Sequence, residues 1–251
     1  MTFFRETSII YSRQLRLSLR EPVWIVIGLL QPVLYLALFG PLLKPIARQL
    51  GATNAYTLFV PGLLVQLAIF GALFVGFGLI GEYRDGVVEA ERVTPASRTA
   101  LLLGRVLRDV TVIFVQGIIL IGLGFAFGLR GSIGGMLLGF VLALVLAGST
   151  ASAGYALALT VKTEDVLASV ANGVSLPVLL LSGILLPMTL APQWLQTVSD
   201  FIPIKHIVQG IRDLFAGTGW TSGILWAIVW TVILATAGIW VGTRTFRRQN
   251  A

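Results

Sequence analysis

The sequence predicts an all-α integral membrane protein with six transmembrane helices, and three observations carry that expectation. Hydrophobic residues make up 56% of the 251-residue chain against 12% charged, outside the balance of soluble globular domains. Uncharged apolar runs of about 20 residues, enough to cross a bilayer as a helix, recur along the whole chain. The basic residues between those runs fall mostly on alternate connections, as the positive-inside bias requires of a multi-pass protein. A single membrane domain over 1–251 follows, with no room beside it for a large soluble domain.

Residues 2–20 place Phe4, Ser8, Tyr11, Leu15 and Leu19 on one helical stripe and Arg5, Arg13, Arg16 and Arg20 opposite. This pattern predicts an interfacial helix, its arginines toward anionic headgroups, with contact to a cytoplasmic partner as a compatible second role. The first span is expected over Pro22–Leu43. Gln31-Pro32 predicts a kink in it, with Gln31 either capping the freed carbonyl or facing a cavity. The second span ends at Gly81 and carries Phe70, Phe74 and Phe77 at helical spacing. That aromatic face suits packing between helices or a path for a hydrophobic substrate. Gly71, Gly76, Gly78 and Gly81 allow close approach of another helix.

The run Glu82–Pro95 is the one dense stretch of mixed charge, in an 82–98 loop between spans. It reads as a docking surface for a protein or as a solvated loop. Thr94-Pro95 predicts a helix start, and the wet first turns of that helix carry Arg105, Arg108 and Asp109. Asp109, four positions after Arg105, fits an interfacial ion pair or a proton-carrying group.

Val110–Leu129 and Gly131–Val161 are the third and fourth spans, the latter packing closely through Gly148, Ser149, Ser152 and Gly154. Val166–Pro187 is the fifth, interrupted by Pro177. Pro187, Pro192 and Pro203 break the segment 188–212, which predicts short external re-entrant or interfacial helices. The lone His206 there reads as an interfacial polar group. Thr221–Gly242 is the sixth span, with Trp220 and Trp240 as anchors at its ends. Both termini and the 82–98 loop then share the arginine-rich face, which the charge bias places in the cytoplasm.

Several chemistries lack their residues. The +7 formal charge is a topology signal in so apolar a chain, so no nucleic-acid partner is expected. With one histidine and no cysteine, no metal site is expected. None of Lys44, Lys162 and Lys205 follows a glycine, so no phosphate loop for ATP is present. No HExxH or GxSxG motif and no carboxylate pair within a span supports catalysis. The uncharged spans also argue against ion or proton coupling, so the energy source lies on another chain.

The interfacial helix, six spans, the loop Glu82-Tyr83-Arg84-Asp85-Gly86-Val87-Val88-Glu89 continuing to Pro95, and the Ser182–Pro187 end of the fifth span resemble the type-2 ABC exporter permeases. The likeness covers essentially the whole chain and is greatest to the daunorubicin-resistance-like drug-export branch. It implies a permease subunit of an exporter in the plasma membrane, moving a hydrophobic or amphipathic drug-like substrate outward. Two copies of the chain would join two ATP-binding subunits, which carry ATP and Mg, with no cofactor on this chain. The loop would serve as coupling helix, with Glu82, Arg84, Asp85, Gly86, Glu89, Arg92 and Pro95 carrying the ATPase contact. The pathway would run between the permeases along the second and fifth spans, with Phe70, Phe74, Phe77 and Ser182 as its candidate residues. An exporter of lipid, glycolipid or polysaccharide, or a membrane scaffold or assembly factor, is the alternative.

Overall fold

Six helices in the computed structural model, which describes residues 3–43, 45, 54–92, 97–161 and 163–249, are long and apolar enough to cross a membrane. In chain order the helices are α1 (Phe3–Arg20), α2 (Val23–Leu42), α3 (Ala55–Gln66), α4 (Val75–Arg84), α5 (Val87–Arg92), α6 (Arg98–Ala126), α7 (Ile133–Val161), α8 (Glu164–Leu181), α9 (Gln193–Asp200), α10 (Pro203–Ala216) and α11 (Ser222–Gln249). A π-turn, Leu67–Gly71, joins α3 to α4, so that the second span runs from Ala55 to Arg84. Its widened backbone frees carbonyls, and Thr150 of α7 donates to the Ala68 oxygen at 2.8 Å.

The small residues of α7 let it sit at the centre of the bundle. Ser149, Ser152 and Gly154 are buried, and Ser149 donates to the Leu234 carbonyl of α11. A Cβ at Gly154 would meet the Ala72 and Leu73 carbonyls, and one at Gly76 would meet Ala158 and Leu167. Of the four glycines expected to admit a neighbour on the second span, Gly76 does so tightly, whereas Gly78 and Gly81 face open space. At Gly238 of α11 a Cβ would collide with the Ser149 carbonyl and hydroxyl. Gly238→Ala is therefore expected to cost about 1–3 kcal/mol, lowering the unfolding temperature in detergent, while Gly78→Ala leaves it unchanged or raises it.

The face of α1 turned into the protein holds Thr7 and Gln14, both buried, and Phe4 (83% exposed) and Leu19 (64%) point outward, the side on which an interfacial helix turns its apolar stripe to the acyl boundary. Gln14 is inside there because it donates to Glu82 of α4 at 3.1 Å, and Thr7 donates to the Phe3 carbonyl of its own helix at 3.0 Å. Other local expectations are corrected. Helix α2 continues through Pro32, and Gln31 donates to the Tyr35 hydroxyl at 3.2 Å rather than to a freed carbonyl. The third span begins at Arg98 with Ser97 as its N-cap, accepting from the Ala100 N–H at 3.2 Å. Thr94 and Pro95 lie outside the described residues. Helix α11 runs past Trp240 to Gln249, and the Arg244 guanidinium lies 4.9 Å above the Trp240 ring.

The proline-broken segment does form short helices, α9 and α10. Pro203 opens α10 and Gly217, at φ +73, closes it. Its Ile207, Val208, Ile211, Leu214 and Phe215 are buried. His206 bonds the Asp200 carbonyl oxygen at 3.0 Å and lies 6.4 Å from the Trp230 ring. Lys205 donates to Asp200 at 2.6 Å, and that hydrogen bond holds the Asp200 carboxyl below the usual carboxylate range.

Candidate functional site: a charged platform under a short helix

Helix α5 has six residues, too few to persist without tertiary support. The chain enters it through Gly86, whose φ of +75 suits glycine. Val88 and Glu91 then turn inward and are buried, while Asp85, Glu89 and Ala90 are exposed. The inward side is held by charge. Arg105 of α6, 2% exposed, donates from one nitrogen, Nη2, to Glu82 at 2.5 Å and to Glu91 at 2.9 Å. The other oxygen of Glu91 accepts from Arg13 of α1 at 3.3 Å, and the other oxygen of Glu82 accepts from Gln14 at 3.1 Å. Two guanidinium groups thus balance two carboxylates, the condition under which buried charge is tolerated.

A second cluster adjoins the first along α6. Asp109 is 2% exposed; it accepts from the Tyr155 hydroxyl of α7 at 2.6 Å and pairs with Arg108 at 3.1 Å. The expected pairing of Arg105 with Asp109 is therefore replaced by two separate sets of partners. The turns of α6 expected to be wet are covered, because α1, α4 and α5 fold over them with polar groups of their own.

The residues expected to form the docking surface divide accordingly. Glu82 faces inward as part of the platform. Arg84 is exposed and pairs at 2.9 Å with Glu164, at the start of α8. Asp85, Gly86 and Glu89 are exposed on the outer side. The side chain of Arg92, and Pro95 altogether, lie outside the described residues. Of the aromatic stripe, Phe70 and Phe77 are half-buried against the core, and Phe74 (40% exposed) stacks on Phe77 at 5.8 Å. Ser182 is 1% exposed at the end of α8, so it lines no open surface of the single chain.

Sequence reasoning missed Glu91, Arg105 and Arg13 as one unit, and it missed Arg212. The side chain of Arg212, on α10, donates to the carbonyls of Leu58 at 2.8 Å, Gly183 at 2.8 Å and Ile184 at 3.1 Å. It ties the start of α3 to the Ser182–Gly183 turn that ends α8. A signal for Arg105 was present: it lies on the same face of α6 as the buried Leu101, Leu102, Ile113 and Gln116. A charge on that stripe demands countercharges, and once Asp109 pairs with Tyr155 and Arg108 the next carboxylates in sequence are those of the 82–91 run.

Comparison with known proteins follows the same outline. The family model described as ABC-2 type transporter matches residues 5–216. The chain is 28% identical over 236 residues, 92% of it and 82% of the relative, to the daunorubicin resistance ABC transporter permease protein DrrB1 of Streptomyces coeruleorubidus. It is 27% identical over 222 residues, 87% of it and 77% of the relative, to the putative transport permease ycf38 of Cyanophora paradoxa. To the protein of that name in Pyropia yezoensis it is 27% identical over 206 residues, 80% of it and 70% of the relative. With the family match extending from α1 through the last residue of α10 and six apolar helices of spanning length, the chain belongs to the ABC-2 type transporter family of membrane permeases.

Proposed function

We propose that this chain is the membrane subunit of an ATP-driven exporter and that α5 is the surface its ATP-binding subunit grips. The observation that carries the reading is the division of α5: an inner side clamped by Arg105 and an outer side presenting Glu89 to a partner, with Asp85 exposed just ahead of the helix. A rigidly seated helix with a free charged face suits force transfer between chains. In this reading both termini and the 82–98 loop are cytoplasmic, in the plasma membrane. ATP and Mg belong to two copies of the partner.

A second copy of the permease completes the pathway. Support comes from α8, on which only Leu167 and Ala171 are buried, while Asn172 sits mid-helix and exposed among Val170, Val174 and Leu176. A polar amide on the outside of a span is disfavoured against lipid and suits a protein or substrate surface. The second and fifth spans of the two copies then line the path, with Phe74 as its exposed aromatic contact. A hydrophobic or amphipathic drug-like molecule is the substrate class such a surface suits.

Two tests follow. Co-expressed with its ATP-binding partner and reconstituted in vesicles, the permease is expected to raise ATP hydrolysis when daunorubicin, the drug in one relative's name, is added, and to accumulate it on one side. Hydrolysis indifferent to daunorubicin and to amphipathic lipids alike would contradict the exporter reading. Orientation is checked with Ser97→Cys, a clean probe in a cysteine-free chain. It is expected to resist an impermeant maleimide in intact cells and to react in inverted vesicles; labelling of intact cells would reverse the topology.

A further inference from the structure

We propose that Arg105 is a positioning residue that pins the corner between α4 and α5, so that a push on α5 becomes a displacement of the second and fifth spans. The inference rests on the exporter reading above and concerns how the platform passes motion inward.

The geometry is specific to one nitrogen. Nη2 of Arg105 holds Glu91 of α5 at 2.9 Å and Glu82 of α4 at 2.5 Å, so the two helices meet on a single buried donor. The peptide link between them passes through Gly86, the residue type that restrains the backbone least. Without the guanidinium, α5 keeps that link, the buried Val88 and the bonds of Arg13 and Arg98 to Glu91, and loses the donor it shares with Glu82 of α4. With it, outward movement of Glu91 leaves Arg105, 2% exposed, facing one carboxylate instead of two. Breaking up a buried charge cluster is costly, so the corner moves as a unit. Arg13 adds α1 to that unit through the second oxygen of Glu91.

From α4 the motion has two routes to α8. Arg84 pairs with Glu164 at 2.9 Å at the wet end, and Leu167 packs beside Gly76 within the span. Helix α8 has few other buried contacts, which leaves it free to follow α4. Arg105 thus touches neither ATP-binding chain nor substrate, yet it decides whether the push is transmitted or absorbed by a hinge at Gly86.

The test uses the complete complex of permease and ATP-binding subunits and needs no substrate. Asn172→Cys, exposed on α8, reports the position of that helix through its rate of reaction with a small maleimide, with and without ATP and vanadate. Arg105→Lys keeps the charge but carries its nitrogen one bond nearer the backbone, short of the Nη2 position, and Glu91→Gln keeps the shape but loses the charge. Each is expected to assemble with the ATP-binding subunit and hydrolyse ATP within twofold of the parent. The nucleotide-dependent change at Asn172→Cys is expected to fall at least fivefold in both. A full change in both variants overturns the proposal. So does loss of the change only in step with unfolding, or failure of both variants to fold, since each of those outcomes gives the cluster a purely architectural role. A parent complex with no nucleotide-dependent change at α8 sinks the exporter reading itself. An unchanged response in the variants, with a responsive parent, removes only the role of Arg105.

Discussion

Glu89→Arg is expected to leave the permease inserted and folded while abolishing co-purification of its ATP-binding subunit. Glu89 is exposed on the outer side of α5, away from the Arg105 cluster, so its reversal disturbs no buried charge. Two mechanisms predict different magnitudes. A local pairing with Arg92, three positions on, is worth about 0.2–0.5 kcal/mol and would barely change activity. Loss of a desolvated charge contact with a partner costs about 2–5 kcal/mol, which at about 1.4 kcal/mol per decade is a 30-fold or greater loss of affinity. Pull-down of the ATP-binding chain at graded concentrations separates them. Arg92→Glu is expected to behave similarly, and recovery in the double reversal would assign the pair to supporting the loop.

Arg212→Met is expected to be the most destabilising single change outside the charged platform. It removes the donors to the Leu58, Gly183 and Ile184 carbonyls and leaves the buried Gly183 and Ile184 oxygens without that partner. Each unsatisfied buried group costs about 1–3 kcal/mol. A total near 3 kcal/mol corresponds to roughly 6–12 °C in a chain of this size, on the scale of soluble domains. Arg212→Lys, which reaches fewer carbonyls at once, is expected to fall between. Thermal unfolding in detergent, followed by circular dichroism, measures both. Equal stability of Arg212→Met and the parent would show that water satisfies those carbonyls.

The spans were legible because membrane length and apolar run length are tied by the geometry of the helix, and a run such as Gly131–Val161 has few ways to fold other than across a bilayer. The short helices after the fifth span were legible from Pro187, Pro192 and Pro203, which forbid a continuous one. The interior of the platform was not. Arg105 meets Glu82 and Glu91 across 23 and 14 residues of chain, and Gln14 meets Glu82 across 68, so no local period connects them. The inward side of α1 was not legible for the same reason: amphipathic patterning assigns polar residues to water, whereas Gln14 is buried because its partner is a carboxylate in the bundle. Arg212 carries no pattern in sequence at all, since its partners are backbone oxygens.

The central claim is that the outer side of α5 touches the ATP-binding subunit, and site-specific photocrosslinking tests it most directly. A benzophenone amino acid at Glu89 should, on illumination of membranes, yield one adduct with the mass of permease plus ATP-binding chain. The same probe at Phe201, 82% exposed beside α10 at the opposite end of the chain's fold, should yield none with that chain. An adduct from Glu89 only with lipid or with a second permease, or an ATP-binding adduct from Phe201 instead, would contradict the account.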